Sequence, residues 1–173
     1  MEIWQQVADR WTEVYAQVGD DQWDNQTPCA DWTVRELVDH LQWHAKALTM
    51  LGADTRSGDG WNEIRAAFDA VLADPSNLEG TAQEFGGMPK PDLAAFLIGD
   101  RLIHTWDLAR SIGADETLPA DAVGATMAGL QHAPREFLRS PNPLGIHMMG
   151  HPVEAPVDAS DQDKMLAFSG RQP

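Results

Sequence analysis

Between Pro91 and Gly113 the chain carries its longest uninterrupted helical pattern. Leu93, Leu97, Asp100, His104 and Leu108 recur at intervals of three or four, which places them on one face of a helix. Pro91 suits a first turn, whose N–H groups have no intrahelical acceptor. Asp92 meets the positive end of the helix dipole there, and Gly113 supplies a stop. A helix this long must cover its apolar face with other helices, and that points to a bundle.

Asp100 and His104 interrupt that apolar face. A carboxylate and an imidazole so placed need a hydrogen-bond partner, each other, or a metal ion. One turn apart, they can reach a single cation, as two histidines at this spacing reach zinc. A third ligand must then come from another helix. On spacing alone the plainer readings remain an intramolecular Asp–His pair or a misassigned helix face.

The other segments supply the rest of the bundle. Residues 2–18 repeat Ile3, Trp4, Val7, Trp11, Val14, Tyr15 and Val18 at helical spacing, with Gly19 as the stop. Thr33 and Glu36 form a capping-box pattern. It starts a helix that turns Val34, Leu37, Val38, Leu41, Ala45 and Leu48 inward and fades near Gly52. His40 and His44 flank this stripe one turn apart, so His40 is the best third ligand and His44 the reserve. A shorter helix over 61–73 buries Ile64, Phe68, Val71 and Leu72 and ends at Asp74-Pro75. A fourth long helix starts near Pro119, carries Val123, Met127, Leu130 and Phe137, and kinks or breaks at Pro134.

Residues 20–31, 53–60 and 76–90 read as loops, the first pinned by Trp23 and Trp32. After Ser140 the prolines exclude a helix until a short one at 162–168, with a strand-like piece at 153–157. The expected fold is all-α. It is a single domain over 1–173: a four-helix bundle over about 2–139 with a short extra helix, and an irregular extension over about 140–173.

The net charge of -15, from 27 acidic and 12 basic residues, disfavours nucleic acid and anionic membranes as partners, since both need Lys/Arg clusters. Seven Trp and 43% hydrophobic residues argue against disorder. With Cys29 alone, neither an intrachain disulfide nor a Cys-rich zinc site can form. The N-terminus lacks the features of a signal peptide, and no apolar run is long enough to span a bilayer. A cytoplasmic protein acting on a small molecule is expected, with a homodimer as the working assembly.

Two stretches carry a family resemblance. Residues 27–40, from Thr27-Pro28-Cys29 through Trp32-Thr33-Val34-Arg35-Glu36-Leu37 to Asp39-His40, resemble the first signature of the DinB-like, mycothiol-dependent maleylpyruvate isomerase-type metal-binding family. Asp100-Arg101-Leu102-Ile103-His104-Thr105-Trp106-Asp107-Leu108-Ala109-Arg110 resembles its second. The ending, Val157-Asp158-Ala159-Ser160 and then Leu166-Ala167-Phe168-Ser169-Gly170-Arg171-Gln172-Pro173, is similar to that of an uncharacterised bacterial branch.

The resemblance implies a DinB-like four-helix bundle with a divalent metal, typically zinc or nickel, on His40, Asp100 and His104. The isomerase has Glu where this chain has Asp100, a side chain one methylene longer. It also has a C-terminal substrate-holding domain for which this chain is too short. What carries over is therefore the metal site and thiol chemistry rather than maleylpyruvate isomerisation. A divalent metal lowers the pKa of a bound thiol or water. The implied activity is activation of a low-molecular-weight thiol of the mycothiol type for S-transfer or addition to a small electrophile. Metal-dependent hydrolysis and a non-catalytic metal-stabilised binding protein or regulator remain alternatives.

Other residues read more plainly. Cys29 is expected as a small buried residue of its loop, although a thiol near a helix N-terminus is also a candidate nucleophile. His44 is either a cavity-lining base or a polar residue at the bundle edge. Trp43 and Trp106 are expected in the core, and Arg101 and Arg110 in surface ion pairs. His147 and His151 are also four apart, but in a Pro/Gly-rich stretch where helical spacing carries no meaning.

Overall fold

The computed structural model describes residues 1–139 and 148–173, with only the backbone of Leu41 and Phe137. Pro141, Pro143 and His147, and the Phe137 and Leu41 side chains, therefore lie outside the described residues. The elements are α1 (Glu2–Tyr15), α2 (Val34–Asp39), α3 (Leu41–Met50), α4 (Trp61–Ala73), β1 (Thr81–Ala82), β2 (Met88–Pro89), α5 (Lys90–Ile112), α6 (Ala120–His132), α7 (Arg135–Arg139) and α8 (Asp161–Phe168). The fold is all-α apart from one small hairpin, consistent with the expected DinB-like bundle.

Helix α5 is the centre. It packs against α1, α2 and α6, so it is covered on several sides rather than along one stripe. From Gly99 to Ala109 every residue except Asp100 is buried. Gly113 ends the helix in the left-handed conformation (φ 71°), from which its N–H reaches back to Ala109 and Arg110, the geometry that favours glycine. Between α1 and α4, Trp4, Trp11, Trp61 and Phe68 form an aromatic cluster with centroid separations of 4.4–6.1 Å. Trp61 Nε1 donates to Thr12 Oγ1 and Trp4 Nε1 to Asp69 Oδ1, so these polar edges are satisfied in the cluster.

The expected start of α2 is present in full. Thr33 Oγ1 accepts from Glu36 N–H while Glu36 Oε2 accepts from Thr33 N–H. The helix beyond it differs from expectation, being two helices rather than one. His40 is the joint, and Trp43 N–H bonds its carbonyl three residues back at 2.9 Å, a tightened turn.

Three further expectations are corrected. Residues 76–90 are not structureless: a 3₁₀ turn at Pro75–Leu78 leads into a two-stranded antiparallel hairpin, with Thr81 opposite Pro89 and Ala82 opposite Met88. The 153–157 piece is not a strand, because Pro152 and Pro156 lack the N–H a ladder needs, and among the described residues its one backbone N–H bond is from Val153 to Ala167 O. The last helix starts one residue before the expected range and has its own capping box, Ser160 with Asp163.

No helix among the described residues is long and apolar enough to cross a membrane.

Candidate metal centre

Three helices bring the polar residues together. Asp100 and His104 project from α5 one turn apart, and His40 sits at the α2–α3 joint. Their ligand atoms all lie within 4.8 Å of one another. Asp100 Oδ2 accepts from His40 Nε2 (3.1 Å) and His44 Nε2 (2.7 Å), and Oδ1 is 3.5 Å from His104 Nε2. Three imidazoles thus converge on one carboxylate. Among the described residues Asp100 has no Arg or Lys ion-pair partner.

The far side of the His104 ring is different. Nδ1 donates to Asp107 Oδ2 at 2.9 Å. Asp107, wholly buried, is gripped by Arg171, with Nε to Oδ1 at 3.2 Å and Nη2 to Oδ2 at 2.8 Å. Cys29 completes this side, with Sγ 3.3 Å from Asp107 Oδ2 and 3.2 Å from Arg171 Nη2. Cys29, His104 and Asp107 form a second group whose ligand atoms lie within 4.8 Å of one another.

The local fields follow from these contacts. Burial pushes the Asp100 carboxyl up, but the His104 charge and the bonds from His104, His40 and His44 hold it well below the usual carboxylate range. Burial opposes a charge on His104, yet Asp100 and Asp107 outweigh it and raise that imidazole well above its ordinary value. Burial lowers His40 against the pull of Asp100. It lowers His44 to about 3, and the Arg101 charge reinforces the effect. Asp107 lies at about 2, since Arg171 and His104 overcome its desolvation. Of the three imidazoles around Asp100, His104 is therefore the one whose positive charge its surroundings favour.

A cavity of about 810 Å³ opens over this constellation. His40, Asp100, His104, Cys29 and Arg171 line it, with Trp32, Trp43 and Phe96 as aromatic wall. The Trp32 ring is 4.8 Å from that of His40 and 5.5 Å from that of His104. A second, largely apolar cavity of about 460 Å³ between α5 and α6 shares Phe96, Asp100 and Met149 with the first.

The donor chemistry fits a divalent cation. Two imidazoles and a carboxylate suit zinc or nickel, and His104 has the outer carboxylate that orients ligating histidines. His44 bonds Asp100 but lies outside the three-ligand group.

Several single-residue expectations change. Trp32 and Trp43 wall the cavity, whereas Trp106 is core. Cys29 is only partly buried and lies beside the site. Arg110 does pair with Glu116 at the surface. Arg101 makes no surface ion pair: it is wholly buried, its guanidinium stacks 4.2 Å from the Trp11 ring centre, and its nitrogens have no hydrogen-bond partner among the described residues. Its position looks outward only if α5 has one covered face, and α1 covers this one. His151 is exposed.

Asp107 and Arg171 were missed as site residues. The i,i+3 spacing of His104 and Asp107 was a usable signal. For Arg171, 64 residues further on, no spacing argument exists.

Comparison with known proteins bears out the resemblance. Residues 4–76 match the family model described as the mycothiol maleylpyruvate isomerase N-terminal domain. That stretch includes His40 and stops short of Asp100 and His104. Two uncharacterised proteins of Mycobacterium tuberculosis, from strains CDC 1551 / Oshkosh and H37Rv, are each 23% identical to this chain, over 96% of it and 94% of their own length. No solved structure matches significantly.

Proposed function

From a chain whose residues 4–76 match a mycothiol maleylpyruvate isomerase N-terminal domain, we propose a metal-dependent enzyme that activates a low-molecular-weight thiol for S-transfer or addition to a small electrophile. His40, Asp100 and His104 hold the metal, zinc or nickel. One observation carries the reading: three ligand atoms within 4.8 Å of one another line a cavity large enough for small molecules. A divalent cation there supplies Lewis-acid stabilisation of a thiolate at neutral pH.

The chain's own residues do the rest. Asp107 accepts the Nδ1 proton of His104 and leaves Nε2 facing His40 and Asp100. His44 bonds Asp100 and restrains its carboxylate. Trp32, Trp43 and Phe96 limit water on one wall and offer an apolar face to the substrate. Three protein ligands beside an open cavity favour catalysis over a closed structural site. We take residues 1–173 to act as one domain, in the cytoplasm, as a homodimer, with no nucleic-acid or membrane partner.

The test is metal analysis of untagged protein after loading with zinc or nickel, beside His40→Ala and His104→Ala variants. The expected result is stoichiometric metal in the native chain and its loss in both variants. No metal in the native chain overturns the reading. If metal binds, thiol consumption is followed across a panel of electrophiles and hydrolysable esters. Ester cleavage without thiol consumption converts the assignment to a hydrolase.

A further inference from the structure

Arg171 lies far from the proposed ligands in sequence, yet its side chain ends two contacts from the metal set. Its fork holds both oxygens of Asp107, at 3.2 and 2.8 Å, and the same Oδ2 accepts from His104 Nδ1 at 2.9 Å. Its other hydrogen bonds among the described residues go to Ser169 O, from Nη1, and to Cys29 Sγ, from Nη2. Nε, Nη1 and Nη2 are thus each engaged by the protein, which ties this guanidinium to Asp107 rather than to the cavity it borders.

The backbone that delivers it is built for close approach. Gly170 has φ +90°, and a Cβ there would meet the Gly150 Cα at 2.9 Å, so conformation and space both require glycine. Arg171 N–H bonds Leu166 O at 2.9 Å and Gly170 N–H bonds Ala167 O at 3.1 Å. The segment after α8 is thereby fixed against the end of its own helix, and Arg171 leaves it towards α5.

We propose that Arg171 is a positioning residue for the metal site. By gripping Asp107 it fixes the carboxylate that fixes His104, so that Nδ1 donates and Nε2 is the nitrogen offered to the cation. A bidentate fork sets the plane of a carboxylate as well as its position, and outer partners of ligating histidines tune metal affinity. The segment following α8 is thus part of the site, although it lies outside the matched stretch 4–76. The proposal rests on the reading of His40, Asp100 and His104 as ligands.

The test compares Arg171→Ala, Arg171→Lys and Arg110→Ala. The last loosens the same segment at Gln172, whose carbonyl Arg110 Nη1 holds at 2.6 Å, without touching Asp107. Zinc affinity is measured by competition with a chromophoric chelator. The His104 imidazole is followed by its ¹⁵N shifts in metal-free protein at alkaline pH, where the ring is neutral and the two tautomers are distinct. Arg171→Ala is expected to weaken zinc roughly 10- to 100-fold and to lose the protonated-Nδ1 signature of His104. Arg171→Lys, a point charge without the fork, falls between, and it serves alone if the alanine variant does not fold. Arg110→Ala keeps the native zinc affinity.

Native affinity and native ¹⁵N shifts in the Arg171 variants would overturn the proposal. So would equal weakening in Arg110→Ala, which would make the effect one of general order in the segment. If the native chain binds no zinc, the ligand reading fails, and the ¹⁵N shifts alone decide whether Arg171 sets His104.

Discussion

The two sides of the His104 ring solve the same problem differently. Each nitrogen meets a carboxylate: Nε2 faces Asp100 at 3.5 Å and Nδ1 bonds Asp107 at 2.9 Å. On the Asp107 side the countercharge is a permanent guanidinium, already seated on both oxygens. On the Asp100 side the partners are imidazoles, whose positive charge is a proton that can leave. A metal ion can replace a proton, but it cannot displace an arginine fork without leaving that charge buried and unpaired. Two groups of potential ligands share His104, and this difference is the reason for proposing His40, Asp100 and His104 rather than Cys29, His104 and Asp107 as the metal site.

The comparison breaks most visibly at Asp107. Asp107→Asn leaves Arg171 in a largely dry site without its anion, and losing one member of a buried pair costs about 3 kcal/mol or more. Urea unfolding at neutral pH measures it. A stability close to native would mean that the Arg171 side is not the fixed one.

Acid sharpens the same point with a smaller effect. Asp107 lies at about 2 in the folded chain, against about 4 for an exposed carboxyl. A depressed folded value gives stability that is complete above about pH 4 and is lost as pH falls towards about 2, here about 2 kcal/mol. Asparagine has no such proton to take up. The stability gap between native protein and Asp107→Asn should therefore narrow by that amount from pH 5 to pH 2. A constant gap would show that Arg171 and His104 do not hold this carboxyl in its charged form.

The site was legible in the sequence where its signals were local. Periodicity put Asp100 and His104 on one inward face, and the Thr33–Glu36 box marked where the helix leading to His40 begins. The break at His40 carried no signal, because its two flanks are both good helix sequence. Arg101 was misread because a periodicity argument assumes one covered face, whereas α5 is enclosed by three helices. Arg171 was out of reach because its partner lies 64 residues away and its delivery depends on a glycine crossing another glycine. The legible part has its own test. Thr33→Ala removes one half of the capping box and should lower stability by about 1 kcal/mol. Zinc affinity should fall less than in any ligand variant, since tertiary contacts still hold α2 against α5. Loss of zinc binding in this variant would mean that the cap itself sets the position of His40.

The smallest effect expected is the most direct check on which side takes the metal. In Cys29→Ser a hydroxyl replaces a thiol that accepts from Arg171 at 3.2 Å and donates to Asp107 at 3.3 Å. Serine can do both, so stability should change by no more than about 1 kcal/mol. Zinc affinity should remain native, because the Asp107 side already holds its cation in Arg171. Cadmium, softer than zinc, would bind more tightly to a thiolate ligand and would suffer more from its removal. Measuring both metals in Cys29→Ser and His40→Ala therefore separates the two groups. Loss of zinc with His40 and retention without the thiol supports the Asp100 side. The reverse pattern, with cadmium hit hardest in Cys29→Ser, would move the metal to the other nitrogen of His104 and require Arg171 to swing away from Asp107.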